Sequence, residues 1–356
     1  MTSSLKRIVV SINPNASFGR GFAVGPAVVT TLRGLGHEVT SLIEPDFAQL
    51  LEATRTALDD KPDALVVVGG DGMVNLGVTV LQGTGIPLGI VPSGTGNDLA
   101  RGLGIPVGNT KAAIEALVGS LHRAPRVIDA AGVRFGPGLI QTQAQTKAQT
   151  KAQPKAQPKA QARAQTKAQA RAQTKAPTQS QADGVAPTEP PGTGSARFAC
   201  ILSAGFDALV TERANTMRYP RGRSRYTIAL LIELLRLRPI EYTLTLDGVV
   251  HRERALLVAV ANNAMFGGGM KVAPNALLDD GLFDVVLVRP LGRLAFLRIY
   301  PRVFAGTHLT DSRVVVHRAA SVRIEAEGVV AYADGERIAP LPVDIDMDAG
   351  SLQVLA

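Results

Sequence analysis

Residues Ala64–Val68 are an unbroken apolar run that empties into Gly69-Gly70-Asp71-Gly72 and then into a segment with Val74, Val78 and Leu81 at helical spacing. A strand, a glycine turn and a helix in that order put unpaired helix amides, and the positive end of the helix dipole, where the chain leaves the sheet. Glycine lets the backbone approach an anion closely there. The unit recurs: Pro87–Val91 leads into Pro92-Ser93-Gly94-Thr95-Gly96-Asn97-Asp98 and on into Leu99-Ala100-Arg101. Two such loops at neighbouring strand ends make a nucleotide cleft. Neither is followed by Gly-Lys-Ser/Thr and neither reads Gly-x-Gly-x-x-Gly, which excludes the P-loop and the dinucleotide fingerprint.

Around these loops apolar strands alternate with helical patterns, the signature of an α/β domain with a mostly parallel sheet. Strands are expected at Arg7–Ile12, Glu38–Ile43, Ala64–Val68 and Pro87–Val91, and helices at Phe47–Leu58, Met73–Leu81, Asp98–Leu103 and Thr110–Val118. The turn beginning at Asn13 precedes a further helix that runs to about Leu35. Beyond residue 196 the pattern changes to long strands and turns: Tyr242–Leu246, an Asp247-Gly248 hairpin turn, Ala255–Ala261, Phe283–Val288 and Arg313–Glu325. That reads as a second, mainly antiparallel, β-sandwich-like domain.

Between the two lies a tandem tetrapeptide, Gln141–Lys175, of the type Lys/Arg-Ala-Gln-Thr/Pro/Ala. A helix would stack its cations at i,i+4, and Pro154 and Pro158 would break it. With almost nothing apolar larger than alanine it cannot offset its ordering entropy, so residues 137–195 are expected to be a disordered insertion. Eight cations, from Lys147 to Lys175, sit there without one acid. Without them, 30 of the 38 basic residues remain against 30 acidic ones. The folded remainder is therefore formally neutral and does not carry the cationic face of a nucleic-acid-binding domain. The insertion is read either as a solvated hairpin extension or as a tether to an anionic surface.

The single cysteine, Cys200, rules out an internal disulfide and suits a reducing cytoplasm. The most apolar stretch, Tyr226–Leu235, has ten residues and contains Glu233, too short for a membrane span of ~20. Only Ile8, Val9 and Val10 follow Lys6 and Arg7 before Ser11, so export through a signal peptide is not expected.

The Gly69–Gly72 loop, followed 20 residues after Gly72 by Pro92–Asp98, resembles the bacterial diacylglycerol and lipid kinase family. The likeness is greatest to the actinobacterial branch. It runs through Arg213-Ala214-Asn215, Met217-Arg218, Gly222-Arg223, Tyr226, Leu235–Pro239 and Tyr332-Ala333-Asp334-Gly335-Glu336, and covers nearly everything but the tetrapeptides. The resemblance implies a kinase domain over residues 1–125, a lipid-substrate domain over 126–136 and 196–330, and a segment 331–356 that returns towards the first domain. The activity it implies is transfer of the ATP γ-phosphate to diacylglycerol, giving phosphatidic acid, by a cytoplasmic protein peripherally associated with an anionic bilayer. No specific nucleic acid is implied, and a homodimer is a candidate assembly.

Carried over by position, the Asn13 turn with Ser17, and Gly69, Gly70, Asp71, Gly72, Met73 and Asn75, resemble the nucleotide phosphate loops; Thr95, Asn97 and Asp98 resemble further nucleotide contacts. Met73 departs from the family, standing where most members have threonine and so removing a hydroxyl contact. Asp71, Asp98, Asp129 and Asp280 match an acidic magnesium and water network, in which Asp280 with the backbone carbonyls of Leu277 and Leu282 holds a structural Mg2+. Glu336, in a turn that residues alone would leave solvated, matches the catalytic general base, with Asp71 beside it. Phosphoryl transfer to an alcohol needs positioning, neutralised phosphate charge and a carboxylate for the hydroxyl proton. Arg218, Arg221, Arg223 and Arg225 surround Tyr219 and Tyr226 ahead of Ile228–Leu235, either as a basic loop capping a core helix or as a rim facing lipid headgroups. Sphingosine-type and other lipid acceptors, NAD kinase and a non-catalytic lipid-binding relative are the competing readings. The Pro92–Asp98 motif and Asp334-Gly335-Glu336 argue against NAD kinase, and the intact acidic set argues against lost catalysis.

Loop length affects stability only logarithmically, so deleting Gln141–Lys175 is expected to leave the fold intact and activity in neutral detergent within a few-fold of the full chain. Assays of both forms on the same detergent-dispersed lipid check this; collapse of activity would place the insertion at the site.

Overall fold

The computed structural model describes residues 5–14, 23–44, 46–136, 194–217, 219 and 223–356. Ser17, Arg218, Arg221 and the whole tetrapeptide segment Gln141–Lys175 lie outside the described residues.

Four parallel strands, β1 (Arg7–Ile12), β2 (Glu38–Ile43), β3 (Ala64–Gly69) and β4 (Leu88–Pro92), stand in the order β2-β1-β3-β4. The central strands are apolar on both sides because both faces are covered. Ala64, Val66 and Val68 of β3 join Ile8, Val10 and Ile12 under α1 (Val24–Gly34), together with the later helix α5 (Thr110–Ser120). Leu65 and Val67 face the other way, under α2 (Phe47–Asp59), α3 (Asp71–Leu81) and α4 (Asp98–Gly102). Asp46 caps α2 by accepting from the Gln49 amide, and Asn109 caps α5 by accepting from the Ala112 amide. α3 has Gly70 at that place, which offers no side-chain cap to the first-turn amides.

The second half is a sandwich. One layer, β12 (Val314–Ala319), β11 (Phe283–Val288), β10 (Leu257–Ala261), β7 (Ile201–Gly205), β14 (Val330–Ala333) and β15 (Glu336–Pro340), is antiparallel throughout. The other contains β5 (Arg126–Phe135), β6 (Gly194–Phe198), β8 (Ile240–Leu246), β9 (Val249–Ala255), β13 (Ser321–Glu325) and β16 (Val343–Leu355), and is continuous with the parallel sheet. Leu244, Leu246, Val322 and Ile345 of one layer meet Val258, Val260 and Val285 of the other in a fully buried core. The mixed parallel and antiparallel architecture is the one the sequence pattern predicts.

β16 is the seam. One edge pairs with β5 along most of its length; the opposite edge takes β13 at Val343–Asp346 and, in parallel, β4 at Val354 and Leu355.

Three boundaries differ from expectation. Ala255–Ala261 and Arg313–Glu325 are not single strands: the chain changes layers at Leu256 and at Ala320, and the apolar run of the first and the alternating strand pattern of the second read straight across the corner. β6 starts at Gly194, two residues inside the segment expected to be disordered, because its partner β5 extends to Phe135.

Asp247 and Gly248 both take positive φ, +45° and +84°, as a two-residue hairpin of matching twist requires. The Asp247 carboxylate also accepts from the amides of Ala320, at 3.0 Å, and Ser321, at 2.8 Å, fixing the corner between β12 and β13. Asp247→Ala is expected to destabilise the protein by about 1–2 kcal/mol, because two backbone donors lose a charged acceptor. Chemical denaturation would read this as a lower midpoint at unchanged slope.

Candidate active site

Two glycine loops touch backbone to backbone above the ends of β3 and β4. The Ser93 amide donates to the Gly69 carbonyl at 2.8 Å, and a Cβ at Gly94 would overlap Gly70 Cα. Only glycine permits that approach. Asp71, in the first turn of α3, locks the loops together: one carboxylate oxygen accepts from the Asn97 amide at 2.9 Å, the other from the Asp98 amide at 2.7 Å. Asn97 sits at φ +53° with its side-chain amide closed on Gly94, accepting from its N–H at 3.0 Å and donating to its carbonyl at 2.8 Å. The Asp98 carboxylate then accepts from the amides of Gly267, at 2.7 Å, and Gly268, at 2.8 Å, bringing in a third glycine loop from the second half of the chain. Burial, and the charge of Asp71 beside it, raise Asp98 to about 6 against the pull of those two N–H donors and Arg101.

The Asp334-Gly335-Glu336 turn comes over this group from β14. Asp334 takes φ +49° and its carboxylate accepts from three successive amides, Ala199, Cys200 and Ile201, at 3.0–3.1 Å. Burial still outweighs these donors and pushes Asp334 up to about 7. The anchored turn projects Glu336, exposed, over the start of α3, where its Oε1 lies 3.9 Å from the position a Cβ on Gly72 would occupy. A carboxylate from the second half of the chain thus stands beside an uncapped helix N-terminus of the first.

Several expected contacts point elsewhere. Met73 is 2 % exposed and packs in the core beneath Gly69, because this position of α3 faces the sheet and not the cleft. Asn75 donates to the Arg197 carbonyl at 3.0 Å, tying α3 to β6. Asn97 serves its own loop, as above. Asn13 ends β1 with its amide on the Val68 carbonyl at 3.5 Å, and Thr95 is exposed at the tip of its loop. Gly69, Gly70 and Gly72 keep their place around the start of α3.

Asp280 is held by Arg318, which also approaches Asp284 at 3.5 Å, while the other Asp280 oxygen accepts from the Leu282 amide at 3.1 Å. Burial pushes Asp284 up and Arg318 pulls it back. The donors are hard oxygens of the kind Mg2+ takes. A guanidinium already balances the two carboxylates, so the arrangement fits a metal only after Arg318 withdraws. Leu277 is exposed beside the cavity that Asp280, Asp284 and Arg318 line. Among the described residues no three His, Cys, Asp or Glu side chains converge as a metal site. Asp129, 2 % exposed, accepts from the amides of Gly281 and Gly350, at 2.7 Å each, and so braces the Asp280 loop without facing the cleft.

Sequence reasoning missed Asn262, Asn263 and the third glycine loop. Asn262 donates to the carbonyls of Asp129 and Ala199, Asn263 to those of Asp98 and Met265. The signal was two asparagines at the end of an apolar strand followed by Gly267-Gly268-Gly269. Cys200 is buried, its thiol pushed well above the usual range by burial and by Asp334, and acts as a small core residue.

Two further helices, α6 (Phe206–Thr216) and α7 (Arg223–Leu235), flank a cavity of about 560 Å³ with the loop Glu327–Val330. Its walls mix Phe206, Leu209 and Leu237 with Arg213, Glu233 and Arg236. Glu212 on the cavity wall reaches Arg337 at 3.7 Å, next to Glu336.

Comparison with known proteins agrees with the two-part fold. Residues 7–130 match the model described as the diacylglycerol kinase catalytic domain, and residues 200–356 the one described as the YegS C-terminal NAD kinase beta sandwich-like domain. A diacylglycerol kinase of Mycobacterium tuberculosis is 31% identical over 350 residues, 98% of this chain and 94% of that protein. A diacylglycerol kinase of Bacillus subtilis is 22% identical, over 95% and 92%. A crystal structure of a diacylglycerol kinase from Bacillus anthracis has the same fold, with a TM-score of 0.63 at 19% identity over 99% of this chain and 97% of that one.

Asp334 binds its proton more tightly in the folded protein than an unfolded aspartate does. That stabilisation is complete below about pH 4 and is lost as pH rises through about 7. Melting temperature measured across this window is expected to fall less steeply with rising pH in Asp334→Asn than in the parent, even though the variant is less stable throughout. Identical slopes would remove Asp334 from the titration.

Proposed function

Since the chain belongs to the diacylglycerol kinase family, and is thereby a lipid kinase with ATP as phosphate donor, we propose that its acceptor is diacylglycerol and its product phosphatidic acid. The observation that carries the reading is the placement of Glu336 over Gly72, at the uncapped start of α3. Phosphates of ATP rest on the amides of that helix and on the glycine loops, where the dipole and the backbone donors favour negative charge. The acceptor hydroxyl enters from the side of Glu336. Its oxygen attacks the γ-phosphorus as Glu336 Oε takes the proton, the bond to the bridging oxygen breaks, and ADP leaves. Mg2+ bound with the nucleotide would supply charge neutralisation at the phosphates. Asp71 holds the two loops in register through its bonds to Asn97 and Asp98, and acts on the reaction by positioning.

The acceptor's glycerol end fits the mixed polar and apolar cavity between α6 and α7, which Glu212 and Arg337 connect to Glu336. No helix among the described residues is long and apolar enough to cross a membrane. We place the enzyme in the cytoplasm, taking its lipid from a bilayer surface.

Glu336→Gln is expected to lower turnover by about 100-fold or more with nucleotide affinity nearly unchanged, since general-base contributions are typically 10²- to 10⁴-fold. Transfer of labelled phosphate from ATP to diacylglycerol, monoacylglycerol, sphingosine and NAD in mixed micelles tests both residue and acceptor. Near-parental turnover would exclude Glu336 as the base, and labelling of another acceptor in preference would replace diacylglycerol.

A further inference from the structure

α8 (Arg293–Ala305) lies outside everything assigned so far. Its inner side, Phe296 and Ile299, is buried, with Phe296 edge-on to Phe206 at 4.7 Å between ring centroids. Its outer side presents Leu294, 75 % exposed, Leu297, 45 %, and Phe304, 50 %. α7 repeats the arrangement: Ala229 and Leu234 are inside, while Ile228, Leu231 and Leu235 are exposed at i, i+3 and i+7. Arg293 donates to the carbonyls of Leu234, at 3.2 Å, and Leu235, at 2.6 Å, so the start of α8 caps the end of α7. Leu235 and Leu294, the most exposed of these side chains, stand at that junction.

The charges are one-sided. Residues 223–240 and 289–306 contain eight arginines and one acid, Glu233, which is turned inward onto Arg213. Arg236, Arg238 and Arg298 are exposed. We propose that the outer face of α7 and α8 is a docking surface for an anionic lipid bilayer, its leucines entering the interface and these arginines taking headgroup phosphates. An apolar stripe rimmed by cations is what binds in the interfacial plane. A second copy of the chain is disfavoured as occupant, because self-association would set one arginine-rich face against another. Arg236, Leu237 and Arg238 also line the 560 Å³ cavity, so docking here brings that cavity up to the membrane. The proposal rests on the lipid kinase assignment only in that a bilayer is where the acceptor resides; the acceptor's identity does not enter.

The test uses the full chain and vesicle flotation, with phosphatidylcholine alone or mixed with phosphatidylglycerol. Leu294→Glu combined with Leu297→Glu is expected to weaken binding to the mixed vesicles by more than about tenfold, because apolar area is lost and charge repels. Arg298→Glu should weaken it roughly fivefold or more at low salt, with Arg298→Lys close to the parent, and the difference should shrink as salt is raised. Kinase activity of all three on detergent-dispersed lipid should stay within about twofold, as α8 supplies no residue to the cleft or the cavity. Parental flotation of the double leucine variant would overturn the proposal. So would a parent that is dimeric without vesicles and becomes monomeric on these substitutions. If the leucine variant misfolds, as judged by melting temperature, the Arg298 pair decides the question alone. Flotation reads the surface even if diacylglycerol proves not to be the acceptor.

Discussion

Two carboxylates that accept backbone amides hold the active region in one piece. Asp71 joins the first glycine loop to the second, and Asp98 joins the second to the third. Loops rich in glycine have the most conformational freedom to lose, and here ladder bonds hold them only at their ends, Ser93 on Gly69 and Phe266 with Met270. The carboxylates replace that missing order with charged acceptors, each satisfied by two N–H groups. Burial, and then the charge of Asp71, raise Asp98 to about 6, and the amides of Gly267 and Gly268 pull it back. Everything proposed for the nucleotide depends on this relay.

The same device recurs where the two halves of the chain meet. Asp334 gathers three amides from the β6–β7 corner and thereby aims Glu336 at α3; Asp129 gathers two from Gly281 and Gly350. A base carried on a hinged partner would need closure before each turnover, and the proposed base, Glu336, is held otherwise. This one is fixed by hydrogen bonds within the sandwich, and the sandwich is fixed to the parallel sheet through β16.

Much of this was legible in the residues. The apolar run of β3, the glycine loops and the alternation of strand and helix announce an α/β unit, since doubly covered strands and loop glycines leave local traces. Corners leave none: Leu256 lies in an apolar run and Ala320 in an alternating strand pattern, and both read straight through. Nor does a motif say which way its side chains turn. Met73, Asn75 and Asn97 fall in the loops that resemble nucleotide contacts, yet they face the core, β6 and their own turn, as the phase of a helix or a positive φ dictates. The third glycine loop was hidden because it lies about 170 residues from the aspartate that binds it, at a separation no local pattern spans. The α8 stripe went unread because its apolar spacing is also that of an ordinary core helix.

The seam at β16 bears on how the chain reaches this state. Leu88 of β4 pairs with Val354, so the parallel sheet keeps a bare edge until nearly the whole second half has been made. Contacts of such long sequence separation form late and slow folding. Through that interval β4 offers an open row of amides and carbonyls to any passing strand, which is the condition under which larger proteins misassemble. Early truncation products should accordingly be aggregation-prone despite containing the first two glycine loops, and the proposed nucleotide site should become competent only as the sandwich closes.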